Sequence, residues 1–210
     1  MIALFLSVPV ACFRAPHARE YLETLPCPPP STVYGALLAL IGETARTRHA
    51  GAEIALANLV TPARSVILRT VWRVKDAALG PGLAENKRPD FQELLSGVRL
   101  AVWIRSGGDE PAPTLEEKIA SSISAPALIE RFGALALGES THLVDELRLL
   151  LPTDGQRGQF LVRDTAGALT LPLWPDHVGS AATRWVQCRL EERAMGEQPD
   201  EDCWVGIRPN

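Results

Sequence analysis

LPCPPPSTVYG, Leu25 to Gly35, is the most unusual stretch of this 210-residue chain. Proline locks φ near −65° and drives the preceding residue into extended backbone, so Pro26 and the run Pro28-Pro29-Pro30 make a stiff, polyproline-like approach. Ser31 or Thr32 is then a natural N-cap, Ala36 to Ile41 is the apolar body of a helix, and Gly42 ends it. A helix begun this way aims free backbone N–H groups and a partial positive charge outward, which suits a phosphate. Tyr34, in the first turn, is placed to stack on a base or donate its hydroxyl. The same elbow serves equally well as scaffolding, with Tyr34 packed inside.

Around this elbow the chain reads as strands. Ile2 to Ser7 is a short apolar run, and Phe13, Arg14, Pro16 and His17 lie in the loop after it. Ala52 to Val60 and Ser65 to Lys75 are strand-like. In the second, period two puts Arg69, Arg73 and Lys75 on one face and Trp72 on the other. Gly80, Pro81, Gly82 and Pro89 mark a flexible tip, and Val98 to Arg105 is the return strand of a long hairpin or arm. Thr114 and Glu117 form a capping box for a helix through Ser124. Leu143 to Leu151 is a further strand, Gln159 to Arg189 holds short strand-like pieces, and the acidic tail from Glu191 reads as partly loose. Strands mixed with two helices predict an α+β fold, ferredoxin-like at first and β-rich at the end: residues 1–150, then 151–210.

Charge is unevenly spread. The chain total is −4, which disfavours a polyanion partner, but Arg64 to Arg105 holds eight basic residues (Arg64, Arg69, Arg73, Lys75, Lys87, Arg88, Arg99, Arg105) against Asp76, Glu85, Asp90 and Glu93. The local field matters more for such a partner than the sum does. No apolar run approaches the roughly 18 residues of a membrane-spanning helix. Cys12, Cys27, Cys188 and Cys203 form no CxxC pair, so no zinc site or disulfide framework is expected and a cytoplasmic setting is. There is no GxSxG, Walker loop, GxGxxG or HExxH, and His17, His49, His142 and His177 are isolated. Chemistry alone therefore points to no catalytic site, metal or cofactor.

The string Ala11 to Glu43 resembles the start of the Cas-five family of CRISPR-associated RAMP proteins. The match lies in Phe13-Arg14, then Thr24, Pro26, Pro28, Pro29, Ser31, Thr32 and Gly35. Ala134 to Val144, ALALGESTHLV, looks like that family's glycine loop. Asn86 to Trp103 is similar to the variant that accompanies myxobacterial-type type I systems. The resemblance implies an RRM-type fold with a β-hairpin thumb, here about residues 64–105. It also implies a subunit that caps the 5′ handle of the crRNA in a Cascade-type complex. Such a subunit touches a backbone subunit and the large subunit, meets target DNA only through the complex, and has no membrane role. The candidate RNA contacts, chosen by position and chemistry within that framework, are Arg14, Ser31, Thr32, Tyr34, Arg64, Arg69, Arg73, Lys75, Lys87, Arg88, Gly138, Ser140 and His142. One branch of the family cleaves repeat RNA without metal, using a tyrosine near the first helix and a lysine–histidine pair. Lys75, Lys87 and Lys118 are each followed by another residue type, so the expectation is a non-catalytic subunit, with the endoribonuclease as the alternative.

Overall fold

A computed structural model describes residues 1–18, 21–72, 74–178 and 181–209. The expected contact Arg73 lies outside the described residues. The strands are β1 (Ile2–Ala11), β2 (Tyr21–Leu22), β3 (Glu53–Asn58), β4 (Ala63–Trp72), β5 (Lys87–Arg105), β6 (Glu146–Leu149), β7 (Arg157–Arg163), β8 (Leu169–Trp174), β9 (Arg184–Ala194) and β10 (Val205–Gly206); the helices are α1 (Pro30–Leu40) and α2 (Leu115–Ser124). They form a mostly antiparallel sheet in the order β6-β1-β5-β3-β7-β9-β8, with β10 on β3, and β2 and β4 both on β5.

Period-two alternation decides what each face of the sheet buries. Leu100, Val102 and Ile104 of β5, with Leu4, Leu6, Ile54 and Leu56, face the helices, where Val33, Leu37, Leu115 and Ile119 close the main core. The residues between them, Ala101 and Trp103, point to the other face beside Ala55, Ala57, Phe160 and Val162. Small alanines there let the C-terminal segment lie close, and Cys203 and Trp204 are buried against them. The acidic tail is therefore packed rather than loose. Arg193 takes Asp202 in two hydrogen bonds of 2.7 and 2.8 Å, and Arg105 takes Glu201 in two of the same lengths while lying over the Trp204 ring.

The return strand of the hairpin is longer than expected. β5 runs 19 residues from Lys87, not from Val98, because Gly97 adopts φ +72° opposite Pro9 and lets the strand continue through an irregular point. Beyond it β4 and β5 pair from Ala63–Ser96 to Trp72–Lys87. The tip is organised by the buried side chain of Asn86, which accepts from the N–H groups of Lys75 and Asp76 and donates to the carbonyls of Asp76 and Leu79. Likewise β6 is confined to Glu146–Leu149, shorter than the run Leu143 to Leu151 suggests. Glu117 and Thr114 cap α2 as the sequence predicts. No helix among the described residues is long and apolar enough to cross a membrane.

Candidate nucleic-acid interface

The proline elbow caps α1 without help from a hydroxyl. The N-cap is Pro29 and Pro30 is the first helical residue, so neither brings an N–H that needs a partner. Of the donors that follow, those on Thr32 and Val33 turn back to the Pro29 carbonyl at 2.9 and 3.1 Å. Ser31 and Thr32 are thus not the N-cap, and the expected fan of free N–H groups reduces to that of Ser31. Released from capping, the Ser31 hydroxyl donates to the Pro172 carbonyl of β8 at 2.7 Å. At the far end Gly42, at φ +71°, donates to Ala39 and Glu43 donates to Leu38, the double bond of a left-handed helix stop.

Tyr34 packs inward. It is 3% exposed, its hydroxyl donates to the Arg46 carbonyl at 2.8 Å, and its ring meets Trp174 at 6.2 Å. Burial pushes the phenol up to about 12. It therefore has neither an open face for stacking nor a free hydroxyl. Above it runs a groove of about 430 Å³ between α1, the segment Ala134–Gly138 and the end of β8. Ser31, Thr32, Gly35, Arg46, Gly138, Trp174 and His177 line it, and among the described residues no carboxylate does. The Arg46 guanidinium lies 4.0 Å over the Trp174 ring and donates to the Pro175 carbonyl at 2.8 Å. A β-carbon placed on Gly35 would meet nothing within 4 Å, so the groove comes down to the helix backbone there. A cation over an indole, flanked by hydroxyls and an imidazole, is equipment for a phosphate and a base.

The glycine loop forms the opposite rim, and its geometry is internal. Gly138 sits at φ +99°, where a β-carbon would come within 2.7 Å of the Cys12 carbonyl. The buried His142 Nδ1 accepts from the N–H of Cys12 at 3.2 Å and of Glu139 at 3.3 Å. Nδ1 is therefore unprotonated, and burial lowers the His142 pKa. His142 pins the loop, while Ser140 is exposed on it. Glu139 reaches the arm, accepting from Arg69 at 3.0 Å and from Gln92 at 2.9 Å.

On the arm itself, the basic residues are largely neutralised. Arg64 pairs with Glu93 at 2.8 Å, Arg69 with Glu139, Lys75 with Glu85 at 2.7 Å and Arg88 with Asp90 at 2.6 Å. Lys75 does not share a strand face with Arg69, because β4 ends at Trp72. Lys87 is exposed beside Trp72 in the ladder. Trp72 faces away from Arg69, as period two requires, but it is 68% exposed and covers Gly82 of the tip. Arg14, exposed near the elbow, donates to the Ala18 carbonyl at 3.3 Å. Ser31, Thr32, Tyr34 and Gly138 thus converge, whereas the arm residues lie apart from them. Arg46, Trp174 and His177 were not singled out by sequence reasoning. A larger recess of about 560 Å³ on the other sheet face, between Trp103, Leu151 and Met195, is largely apolar and carries Glu197 as its one charge among the described residues, so it does not suit a polyanion.

Against known proteins, the curated "CRISPR-associated protein Cas5" of Myxococcus xanthus (strain DK1622) is 48% identical over 197 residues, covering 91% of each chain. This chain belongs to the Cas5 family. The sequence model of the family described as "CRISPR-associated protein (Cas_Cas5)" matches its residues 1–101, the part holding the elbow and α1. Among solved structures, one titled "CRISPR RNA-guided surveillance complex" superposes with a TM-score of 0.66 at 16% identity over 96% of this chain and 95% of that one. A second, "Crystal structure of Cas protein", gives 0.52 at 12% identity over 92% and 93%. Both likenesses are to the fold. The Cas5 fold here extends beyond the matched 101 residues, and the strand that closes the groove, β8, comes from that remainder.

Proposed function

We propose that this Cas5 protein is a non-catalytic subunit of a type I, Cascade-type CRISPR surveillance complex, and that it holds the 5′ handle of the crRNA in the groove beside α1. The observation that carries the reading is the 48% identity to a curated Cas5 over nearly the whole chain. The groove supports the location, because Arg46, two hydroxyl side chains and an imidazole line it and among the described residues no carboxylate does. In this reading the β4–β5 hairpin is the thumb of a ferredoxin-like RAMP fold. The protein contacts a backbone subunit and the large subunit, and acts on target DNA only through the assembled complex in the cytoplasm. Tyr34 supports a non-catalytic role, since a buried phenol bonded to a backbone carbonyl is a poor proton carrier near neutral pH.

Binding of an RNA with the repeat-derived 5′ end, against a scrambled RNA and across salt, tests this. Preference for the repeat end is expected, with Arg46→Ala weakening it and lowering the slope of log K against log salt by about 1. Equal binding of both RNAs would refute handle recognition. Metal-free cleavage of repeat RNA by the purified protein would refute the non-catalytic role.

A further inference from the structure

β4 has one partner strand and one open edge. It pairs with β5 alone, and among the described residues none from Ala63 to Trp72 makes a backbone hydrogen bond outside that ladder. A ten-residue edge of this kind presents a row of unpaired N–H and C=O groups, a template for another strand. Proteins usually blunt such an edge with proline, lysine or a covering element. β4 contains no proline or lysine, and its centre carries Val66, Ile67 and Leu68 at 50%, 39% and 64% exposure. Its arginines do not repel an incoming strand strongly, because Glu93 and Glu139 hold Arg64 and Arg69.

We propose that in the free protein a second copy of the chain covers this edge, two β4 strands pairing antiparallel about a two-fold axis through Ile67. Such an axis stands perpendicular to the sheet, so both copies keep the same faces and only residues of equal parity oppose each other. Centred on Ile67, that residue meets itself, Leu68 meets Val66, Arg69 meets Ser65 and Arg64 meets Thr70. Aliphatic faces aliphatic, each guanidinium faces a hydroxyl, and no like charges are opposed. A shift to Leu68 sets Arg69 against Ile67; a shift to Val66 sets Arg64 against Leu68. The charge pattern therefore selects one self-complementary register, and it fits a copy of this chain without requiring an oppositely charged partner.

Sedimentation velocity on the purified chain across roughly 1–100 µM tests this, a range suited to a modest strand-pair interface. A concentration-dependent monomer–dimer equilibrium is expected. Ile67→Lys or Ile67→Glu alone should weaken the dimer by about tenfold or more, since each sets like charges directly opposite. An equimolar mixture of the two should restore association, which also shows that both variants are folded. A monomer at every concentration overturns the proposal. So does a dimer that both variants leave intact, or a mixture that associates no better than either variant alone.

Discussion

Substituting Gly35 separates stability from binding with opposite signs. Gly35 lies inside α1, and a β-carbon built there has no neighbour within 4 Å. Alanine in a helix interior is favoured over glycine by about 0.5–1 kcal/mol, because the unfolded glycine has more backbone freedom to lose. In a domain of this size that amounts to roughly 1–4 °C in Tm. The same methyl projects into the groove where a bound nucleotide would approach the helix, and Gly35→Leu would fill more of it. Urea unfolding and thermal melts should show Gly35→Ala equal to or more stable than the wild type. Filter binding with the repeat-end RNA should show affinity falling from glycine to alanine to leucine. If Gly35→Leu is folded and binds as well as the wild type, nothing occupies the groove at the helix and its assignment is wrong.

Two further outcomes follow from buried polar groups. Tyr34→Phe removes the bond to the Arg46 carbonyl and should cost about 1–2 kcal/mol in urea unfolding, while RNA affinity stays close to that of the wild type. His142 is held neutral, with its folded pKa below the unfolded value of 6.5. Its contribution is fully present above that value and is lost as pH falls through it, because the unfolded chain gains a proton that the folded one resists. Unfolding midpoints between pH 8 and pH 5.5 should therefore decline more steeply in the wild type than in His142→Gln; parallel declines would remove His142 from the account.

The parts of the fold legible in the sequence were those with local causes. The prolines before α1, Gly42 after it and the Thr114–Glu117 box each act within a turn, and each marks a real helix end. The N-cap assignment failed on a point of chemistry: proline needs no capping partner, so the hydroxyls were free for other bonds. The return strand, expected from Val98, begins at Lys87, because Gly97 at φ +72° is accommodated inside β5 rather than ending it. The site was half legible. Ser31, Thr32 and Gly138 lie in motifs, whereas Arg46 and Trp174 are separated by more than a hundred residues and meet only through the pairing of β7, β8 and β9. The arm's charge was legible as a count but not as a field, because Glu139, distant in sequence, neutralises Arg69.

The Ser31–Pro172 bond joins residues 141 positions apart, and α1 packs on β8. Contacts of such long sequence separation form after the local ones, and during synthesis they must wait for the later segment to emerge. The elbow and α1 leave the ribosome well before the wall containing Trp174 and His177. A nascent chain that lacks the later segment thus has an incomplete groove, and α1 stays uncovered on that side until β8 is made.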